Sequence, residues 1–437
     1  MAGIIPFIGL RYNNSKISNL ASVMTPPYDI IDDKSQARYY AENPVNIIRL
    51  ELGLIFPDDD EQNNRYTRAK KYLDRWMEDE TLVPEAKPAI YVYQQEFPGT
   101  KGTLTRTGFI CGLKLEDYSA GSVLPHEETL SKPKADRLKL MQATQCNFSS
   151  IFGLYSDPER LVDKALLEAI GGREPDVNIV DEAGETHRLW VVTDEATLQA
   201  VSTNLREKQI FIADGHHRYE TALEYCKQMH ISGYKGYDYV MATLVNLYDE
   251  GLVVLPTHRV VRNISNLDLK GLKSALTEVF EVEEFDLSIG LPGFMNELAN
   301  RGKKKHAFGL YTQERSLYLL TVKNMNQAKS LMPKEMSDSW KKLDVALLDN
   351  LVLSRLLRID KSDRKNRDNI SYTRDEDWAV ARVNDGSHQL AFLLNPTRVE
   401  EVVAVAQAGD KMPQKSTYFY PKLLTGMVIN PLFKNLP

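Results

Sequence analysis

The feature that most constrains this chain is the junction at residues 210–223, where an apolar run stops abruptly at a glycine turn. Ile210 to Ala213 is typical of a short buried strand, and it ends at Asp214-Gly215. Two histidines and an arginine follow directly, and Tyr219 to Met229 has helical character. The segment therefore predicts a strand, a glycine turn and a helix start, with an acid, two imidazoles and a guanidinium close together.

A junction of this kind favours an anion. The N-terminus of a helix offers unpaired backbone N–H groups and a partial positive charge. Arg218 and the imidazoles of His216 and His217 add donors, so phosphate is the ligand that the pattern predicts. Gly215 would let the backbone approach the phosphates, and Asp214 would position a metal or a hydroxyl group on the same ligand. A lone Asp-Gly is usually a turn and a lone histidine is usually structural, so the functional interpretation depends on their concentration at one junction.

Composition limits the class of protein. The chain has 437 residues, which predicts two or three domains, and its 43% hydrophobic and 26% charged content is typical of a globular protein. A net charge of −6 argues against a general nucleic-acid binder. We expect no membrane span and no signal peptide, because no long apolar run occurs. Three widely spaced cysteines (Cys111, Cys146 and Cys226) predict reduced thiols and a cytoplasmic location.

Strand-like and helix-like segments alternate along the whole chain, which predicts a mixed α/β (α+β) fold. Ile90–Phe97 and Arg106–Leu115 are predicted to pair through a turn at Gly99–Gly102. A change of composition near Asn263 predicts two domains, residues 1–262 and residues 263–437. Further predictions are strands at 43–50, 151–155 and 378–384, helices at 135–144 and 267–282, and an exposed charged loop at 361–367.

The loop that contains His126-Glu127-Glu128-Thr129 is a second candidate. Two carboxylates beside a histidine suit a general base that deprotonates an alcohol. The segment lacks the i, i+4 histidine pair of a helical zinc site. A solvated surface loop is the alternative interpretation.

The third candidate is Lys411–Lys422, in which lysines flank Ser416-Thr417 and two prolines fix the backbone. The segment is either a phosphate-facing or substrate-facing loop or a structural seal. Its three consecutive aromatic residues should pack, so we expect it to fold back onto the main body and to close the cleft with Lys415 and Ser416. The stiff loop Pro26-Pro27-Tyr28-Asp29 either lines a site or supports the fold.

Three segments together resemble a bacterial and archaeal family known as domain of unknown function 1015. They are Pro26–Asp29, Pro125–Glu127 with Asn147 downstream, and Ala213–Arg218. The stretch from Met412 to Lys422 resembles the end of that family, so the resemblance covers nearly the whole chain.

The Asp-Gly-His-His-Arg element is also similar to the phosphate-binding motif of the ParB/sulfiredoxin superfamily, in particular of the free L-serine kinases. This resemblance implies a ParB/sulfiredoxin-like nucleotide-binding core within residues 1–262, elaborated by additional α/β segments. Residues 263–437 would form a C-terminal α/β domain that packs back on the cleft. The kinases carry an upstream glutamate that acts on the serine hydroxyl, and Glu127 stands in the matching order. A much longer stretch separates Glu127 from Asp214 here than separates the two segments in the compact kinases.

These observations predict a small-molecule kinase that transfers a phosphoryl group from ATP or ADP, with Mg²⁺, to a hydroxyl acceptor such as free L-serine. The predicted site consists of catalytic Glu127 and Asp214, phosphate-binding Gly215, His216, His217, Arg218, Lys415 and Ser416, and substrate-binding His126 and Tyr28. One alternative is a nucleotide-binding regulatory protein without activity. Another is a metal-dependent phosphoester hydrolase built on His126, Glu127, His216 and His217. The predicted partners are a small-molecule substrate and a nucleotide, with no nucleic acid and no membrane. A homodimer is an open alternative.

Overall fold

A computed structural model describes residues 3–99, 102–234, 236–360 and 368–434, which form two compact units. The first unit lies within Met1–Pro125, Thr129–Val253 and Pro421–Pro437. The second lies within His126–Glu128 and Val254–Tyr420. The charged loop predicted at 361–367 lies outside the described residues. The roles predicted for residues 1–262 and 263–437 stay predictions.

The first unit contains a mixed sheet and seven helices among its described residues, so the predicted mixed α/β class is confirmed. Its helices are Asp33–Glu42, Ile48–Glu51, Arg65–Glu78, Ser131–Thr144, Leu161–Ile170, Glu195–Leu205 and His216–Ile231. Its strands are Ile4–Ile5, Leu10–Tyr12, Leu82–Pro84, Ile90–Gly99, Gly102–Lys114, Val123–Leu124, Cys146–Asn147, Ile151–Tyr155, Val177–Val180, Thr186–Val192, Ile210–Asp214, Tyr239–Asn246 and Asn430–Pro431.

The large sheet of the first unit places the Ile210–Asp214 strand between two neighbours. It runs parallel to Val123–Leu124 and antiparallel to Ile151–Tyr155. Gly153 faces this strand, and a Cβ atom there would lie 2.8 Å from the Ile210 side chain and 2.7 Å from that of Leu244. A glycine is therefore needed for the close packing that fixes the Ile210–Asp214 strand in the core.

The second unit is built on a six-stranded antiparallel sheet. In sheet order its strands are Phe280–Phe285, Leu317–Val322, Ala307–Thr312, Leu390–Leu394, His258–Val261 and Ile370–Thr373. Its helices are Leu269–Leu276, Gly290–Gly302, Met325–Ser330, Asp338–Lys341, Asp344–Leu347, the π-helix Leu348–Ser354, Glu376–Asn384 and Val399–Gln407. Two further short strands are Val253–Val254 and Phe419–Tyr420. The core of this unit contains Phe294, Leu319 and Leu393.

Several segment predictions are confirmed. Ile90–Gly99 and Gly102–Lys114 form an antiparallel hairpin in which Gly99 faces Gly102. The strand at 151–155 has the predicted bounds. The helix predicted at 135–144 is present and begins earlier, at Ser131.

Three segment predictions are wrong, and local hydrogen bonds from side chains to the backbone explain two of them. The strand predicted at 43–50 is a turn and the helix Ile48–Glu51, because the Asn46 side chain accepts the Ile48 N–H at 2.9 Å. The strand predicted at 378–384 belongs to the helix Glu376–Asn384, whose N-cap Asp375 accepts the Trp378 N–H at 2.8 Å. The helix predicted at 267–282 ends at Leu276, and Phe280–Phe285 is a strand.

None of the helices within the described ranges combines the length and the apolar character that a membrane-spanning helix requires.

Candidate functional site

The predicted strand, turn and helix form at the junction, and the helix begins earlier than Tyr219. The strand ends at Asp214, Gly215 is the N-cap, and the helix runs from His216 to Ile231. His216, His217 and Arg218 therefore make up the first helical turn. Gly215 has no side chain that could cap the helix, which keeps the positive end of the helix dipole available to an anion.

Gly215 is required by its conformation and by its surroundings. Its φ is 93°, in the left-handed region that side chains disfavour. A Cβ atom at this position would lie 3.0 Å from the Arg218 guanidinium nitrogens. The glycine therefore lets the arginine fold back over the turn.

A β-bulge turns Asp214 away from the face of its strand that enters the core. Ile212 faces Gly153 on the neighbouring strand, whereas Asp214 faces Phe152, so the register shifts between them. Side chains alternate along a regular strand, so Asp214 would otherwise point to the same face as buried Ile210 and Ile212. An inserted residue breaks that alternation and redirects the carboxylate.

Asp214 binds two cations, one through each carboxylate oxygen. Arg218 Nη2 donates to Oδ2 at 2.8 Å, and Lys422 Nζ donates to Oδ1 at 2.7 Å. The three side chains, here called the Asp214 cluster, are only 11–21% exposed. Burial alone would raise the pKa of Asp214, but the charges of Lys422 and Arg218 outweigh it and hold that pKa well below its usual range. The carboxylate is therefore ionised at neutral pH.

Arg218 is oriented from both ends of its guanidinium. Nη2 binds Asp214, while Nη1 donates to the Ser150 carbonyl oxygen at 2.6 Å. Burial would lower the pKa of Arg218, but the charge of Asp214 outweighs burial and raises that pKa above its usual value. The guanidinium is a fixed positive charge at the start of the helix.

His217 is neutral in this arrangement. Its Nε2 accepts the backbone N–H of Leu130 at 2.9 Å, which requires an unprotonated nitrogen. Burial lowers the pKa of His217, against the opposing charges of Glu220 and Asp29. His217 therefore offers Nδ1–H as a neutral donor rather than the positive charge that the sequence allowed. His216 is 2% exposed, which places it in the packed interior.

Lys422 reaches Asp214 because its own backbone is held against the large sheet. The Gln95 side chain donates to the Lys422 carbonyl oxygen at 2.9 Å, and the Arg106 guanidinium donates to the Pro421 carbonyl oxygen at 2.6 Å. Arg106 is 1% exposed and lies 4.7 Å from the centre of the Phe152 ring. These contacts fix the lysine close to the junction.

The rest of the Lys411–Lys422 segment belongs to the second unit and packs there. Thr397 Oγ1 donates to the Ser416 carbonyl oxygen at 2.7 Å, and the Ser416 hydroxyl donates to the Pro413 carbonyl oxygen. Phe419 is buried. These contacts support a structural role for residues 411–420, and the phosphate contacts predicted for Lys415 and Ser416 stay predictions.

His126 and Glu127 are also assigned to the second unit. His126 is buried, its carbonyl oxygen accepts the Met412 N–H at 2.7 Å, and its Nε2 lies 3.2 Å from Thr417 Oγ1. Glu127 is half-buried. The role of Glu127 as a base and that of His126 in substrate binding stay predictions.

A second polar cluster in the first unit contains Tyr28, which the sequence predicts to bind substrate, together with residues that carried no clear sequence signal. Arg137 lies 3.3 Å from Glu51 Oε1, which also accepts the Ser149 hydroxyl at 2.8 Å. The Tyr28 ring lies 4.1 Å from the Arg137 guanidinium, and burial raises the pKa of Tyr28 to about 12. A cavity of about 40 Å³ is lined by Glu51, Arg137, Ser149 and Arg218, among other residues. It has room for a few water molecules and is too small for a nucleotide.

The described part of the chain holds two groups of three side chains that could bind a metal ion. They are Cys226, His230 and Asp238, and Asp181, Glu185 and His187. Neither contains a residue of the Asp214–Arg218 junction.

Among solved structures, several are similar to this chain at low identity. A conserved hypothetical protein from Pyrococcus furiosus is 14% identical, with a TM-score of 0.33, over 71% of this chain and 90% of that chain. Free serine kinase in complex with AMP is 13% identical, with a TM-score of 0.32, over 71% of this chain and 86% of that one. C-terminally truncated SbnI from Staphylococcus aureus is 10% identical, with a TM-score of 0.34, over 72% and 85%. Similarity at this level does not carry a function over to this chain.

No curated protein matches the sequence. The model of the family "Protein of unknown function (DUF1015)" matches residues 4–346, which is most of the chain. The chain therefore belongs to this family.

Proposed function

We propose that this member of the DUF1015 family is a phosphotransferase that binds nucleotide phosphates at the Asp214–Arg218 junction and transfers a phosphoryl group to an alcohol. The observation that carries the proposal is the Asp214 cluster at the N-terminus of the His216–Ile231 helix. It brings two cations and one carboxylate together where a helix dipole is positive.

The charge of the cluster favours an anion. Arg218 and Lys422 contribute two positive charges and Asp214 one negative charge, which leaves one net positive charge. The helix N-terminus adds roughly half an elementary charge of the same sign. The three side chains retain 11–21% exposure, so an anionic ligand could approach them from solvent. A phosphate group fits this environment, because it accepts several charge-assisted hydrogen bonds at once.

Phosphoryl transfer requires an aligned donor and a neutralised transferring group more than it requires covalent chemistry. Arg218 is already oriented by Ser150 and Asp214, so little conformational entropy remains to be lost when it binds a phosphate oxygen. Lys422 would exchange its bond to Asp214 for a bond to the same phosphate. His217 would donate its Nδ1–H as a neutral group.

In its present arrangement, the carboxylate of Asp214 is not suited to bind a magnesium ion directly. Both of its oxygens bind cationic side chains, and a magnesium ion would have to displace one of them. Mg²⁺ commonly keeps several waters and binds through substrate phosphates, so the nucleotide itself could carry the ion. Asp214 is better suited to holding Arg218 in place, and to holding Lys422 until a phosphate binds.

We also propose which residues would bind the acceptor and accept its proton. Glu127 would take the proton of the acceptor hydroxyl, and free L-serine is the acceptor that we would test first. His126 and Tyr28 would contact the acceptor, and Lys415 and Ser416 would contact the phosphates. The raised pKa of Tyr28 keeps its hydroxyl protonated at neutral pH, so it could donate a hydrogen bond.

The binding step is tested by calorimetric titration of the full-length protein with ATP, ADP and AMP. Arg218→Ala should weaken binding by about 1–3 kcal/mol, the scale of a charge-assisted hydrogen bond. Lys422→Met should also weaken binding. Lys208→Met is the matched control, because Lys208 pairs with Asp157 at 3.2 Å in another part of the first unit. Unchanged affinity in folded Arg218→Ala and Lys422→Met proteins would contradict the binding site.

The transfer step is tested separately, by following nucleotide turnover with L-serine and other small hydroxylated metabolites. Acceptor-dependent release of ADP from ATP, or of AMP from ADP, would support the phosphotransferase. Nucleotide binding without turnover on any acceptor would favour the alternative of a regulatory protein.

A further inference from the structure

Apart from the junction, the first unit contains a buried group of potential metal ligands, here called the His187 cluster. It consists of Asp181, Glu185 and His187, whose ligand atoms all lie within 4.8 Å of one another. Asp181 follows the strand Val177–Val180, and His187 belongs to the antiparallel neighbour Thr186–Val192. The tight turn between these strands brings the three side chains together.

His187 is an unusual member of this cluster, because its Nε2 is completely buried and has no hydrogen-bond partner within the described residues. Nε2 lies 3.2 Å from Asp181 Oδ2, but the pair does not have hydrogen-bond geometry. A buried polar atom without a partner is costly, typically about 1–3 kcal/mol. The unpartnered nitrogen therefore indicates that a bound ligand takes the place of a protein hydrogen-bond partner.

The other ring nitrogen of His187 is already fixed. Nδ1 lies 2.7 Å from the hydroxyl of Tyr93, and both residues are buried. When Nδ1–H donates to this hydroxyl, Nε2 carries the lone pair that a metal ion requires. Metal-binding histidines commonly have such a partner on the second nitrogen, which sets the tautomer and the ring orientation.

Asp181 is also held so that one oxygen faces the histidine. Its Oδ1 accepts the backbone N–H groups of Ala183 and Glu185, both at 2.9 Å. Its Oδ2 is the atom that approaches His187 Nε2. Two ligands of a tetrahedral zinc ion lie about 3.3 Å apart when each metal–ligand distance is about 2.0 Å. The observed 3.2 Å between Oδ2 and Nε2 matches this spacing.

A pocket gives access to the cluster. A cavity of about 510 Å³ is lined by Asp181 together with Thr25, Tyr39, Ile179 and Leu424. The Asp181 side chain is 19% exposed, whereas that of His187 is not exposed at all. A metal ion could enter from this pocket, and water or a small ligand could occupy its remaining coordination position.

From these observations we infer that Asp181, Glu185 and His187 bind a divalent transition-metal ion, with Zn²⁺ as the reference ion and an open position towards the pocket. One imidazole and two carboxylates are a ligand set that zinc accepts, and three protein ligands leave room for a fourth. The inference is independent of the proposed phosphotransferase activity. The competing explanation is a direct contact between His187 Nε2 and Asp181 Oδ2 without a metal ion.

The experiment uses the full-length protein after treatment with a chelator. Co²⁺ is added as a visible probe, and Zn²⁺ is used to displace it. We expect one equivalent of Co²⁺ to bind, with d–d bands of nitrogen and oxygen ligation and no thiolate-to-cobalt charge-transfer band. Zn²⁺ should raise the unfolding temperature. A thiolate band would instead assign the ion to Cys226, His230 and Asp238 and would overturn the inference.

Variants distinguish the His187 cluster from the other group of potential ligands, Cys226, His230 and Asp238. His187→Gln and Asp181→Asn should each reduce Co²⁺ affinity by tenfold or more. Asp181→Asn serves if His187→Gln does not fold, since Asp181 is the more exposed residue. Tyr93→Phe keeps all three ligands and should lower affinity by roughly 10–100-fold through lost orientation. His230→Gln is the matched control and should bind Co²⁺ like the wild-type protein.

Absence of saturable binding in the wild-type protein would overturn the inference. Wild-type affinity in folded His187→Gln or Asp181→Asn would do the same.

Discussion

Replacing Asp214 by asparagine should weaken the fold and strengthen the binding of a nucleotide at the same time. The substitution keeps the shape of the side chain and removes its charge. Arg218 and Lys422 then face each other without the carboxylate that separates them. The net charge of the Asp214 cluster rises from one positive charge to two, which favours an anionic ligand.

The magnitudes follow from burial and distance. Removing one partner of a buried ion pair costs about 3–5 kcal/mol, and the 21% exposure of Asp214 puts it near the lower end, about 3 kcal/mol. For a domain of this size, that corresponds to a fall of roughly 6–12 °C in the unfolding temperature. A phosphate about 8 Å from the lost carboxylate would gain about 2 kcal/mol at an effective dielectric constant near 20. After screening, we expect about tenfold tighter binding at low ionic strength.

The assay combines thermal unfolding with calorimetric titration of ATP at low and high salt. Asp157→Asn is the matched control, because Asp157 is a buried carboxylate that pairs with Lys208. It should lose stability without a gain in nucleotide affinity. A folded Asp214→Asn protein that binds ATP more weakly than the wild type would refute the reasoning, because the positioning of Arg218 and Lys422 by Asp214 would then outweigh the gain in positive charge. A gain in affinity that does not shrink with added salt would also refute it.

Three further predictions concern other groups. Because burial lowers the pKa of His217 below its usual 6.5, the unfolded chain binds the proton first as the pH falls. The contribution of neutral His217 to the free energy of unfolding, measured in urea, should therefore be complete above about pH 6.5 and decrease as the pH falls below that value. His217→Gln should make this decrease smaller. An unchanged pH profile in the variant would contradict the neutral histidine. Glu127→Gln should reduce acceptor-dependent turnover by roughly 10²–10⁴-fold with little change in nucleotide affinity, and full turnover would exclude Glu127 as the base. A chain that ends at Gly409 lacks Lys422 and should lose stability and nucleotide binding, so a stable and fully active product would show that the segment is dispensable.

The junction could be predicted from the sequence because its determinants are local. An apolar run, an Asp-Gly pair and a helical segment follow one another within a few residues, and each limits the backbone directly. The helix begins at His216, before the predicted Tyr219, because the polar residues 216–218 follow a glycine N-cap and carry no apolar pattern. The strand wrongly predicted at 378–384 failed for a related reason, since its N-cap Asp375 lies outside the apolar pattern.

The partners of the junction could not be predicted, because they come from distant parts of the chain. Lys422 is 208 residues from Asp214 in sequence, and Ser150 is 68 residues from Arg218. Nothing in a local pattern indicates that Lys422, rather than another lysine of its segment, reaches Asp214. The bulge that redirects Asp214 depends on the register of a neighbouring strand. Local sequence therefore specifies the loop, while the sheet specifies its electrostatic environment.

The dependence on Lys422 links the end of the chain to the proposed phosphate site. Gln95 and Arg106 hold the backbone of Pro421 and Lys422 through their carbonyl oxygens, which leaves the Lys422 side chain directed at Asp214. Arg106 is buried, and burial lowers its pKa to about 10, so it stays charged at neutral pH and keeps this hold. The proposed phosphate site is therefore complete only when residues 421 and 422 are held against the large sheet. A substitution of Gln95 or Arg106 should consequently weaken nucleotide binding without touching the nucleotide, because it releases the lysine that completes the cluster.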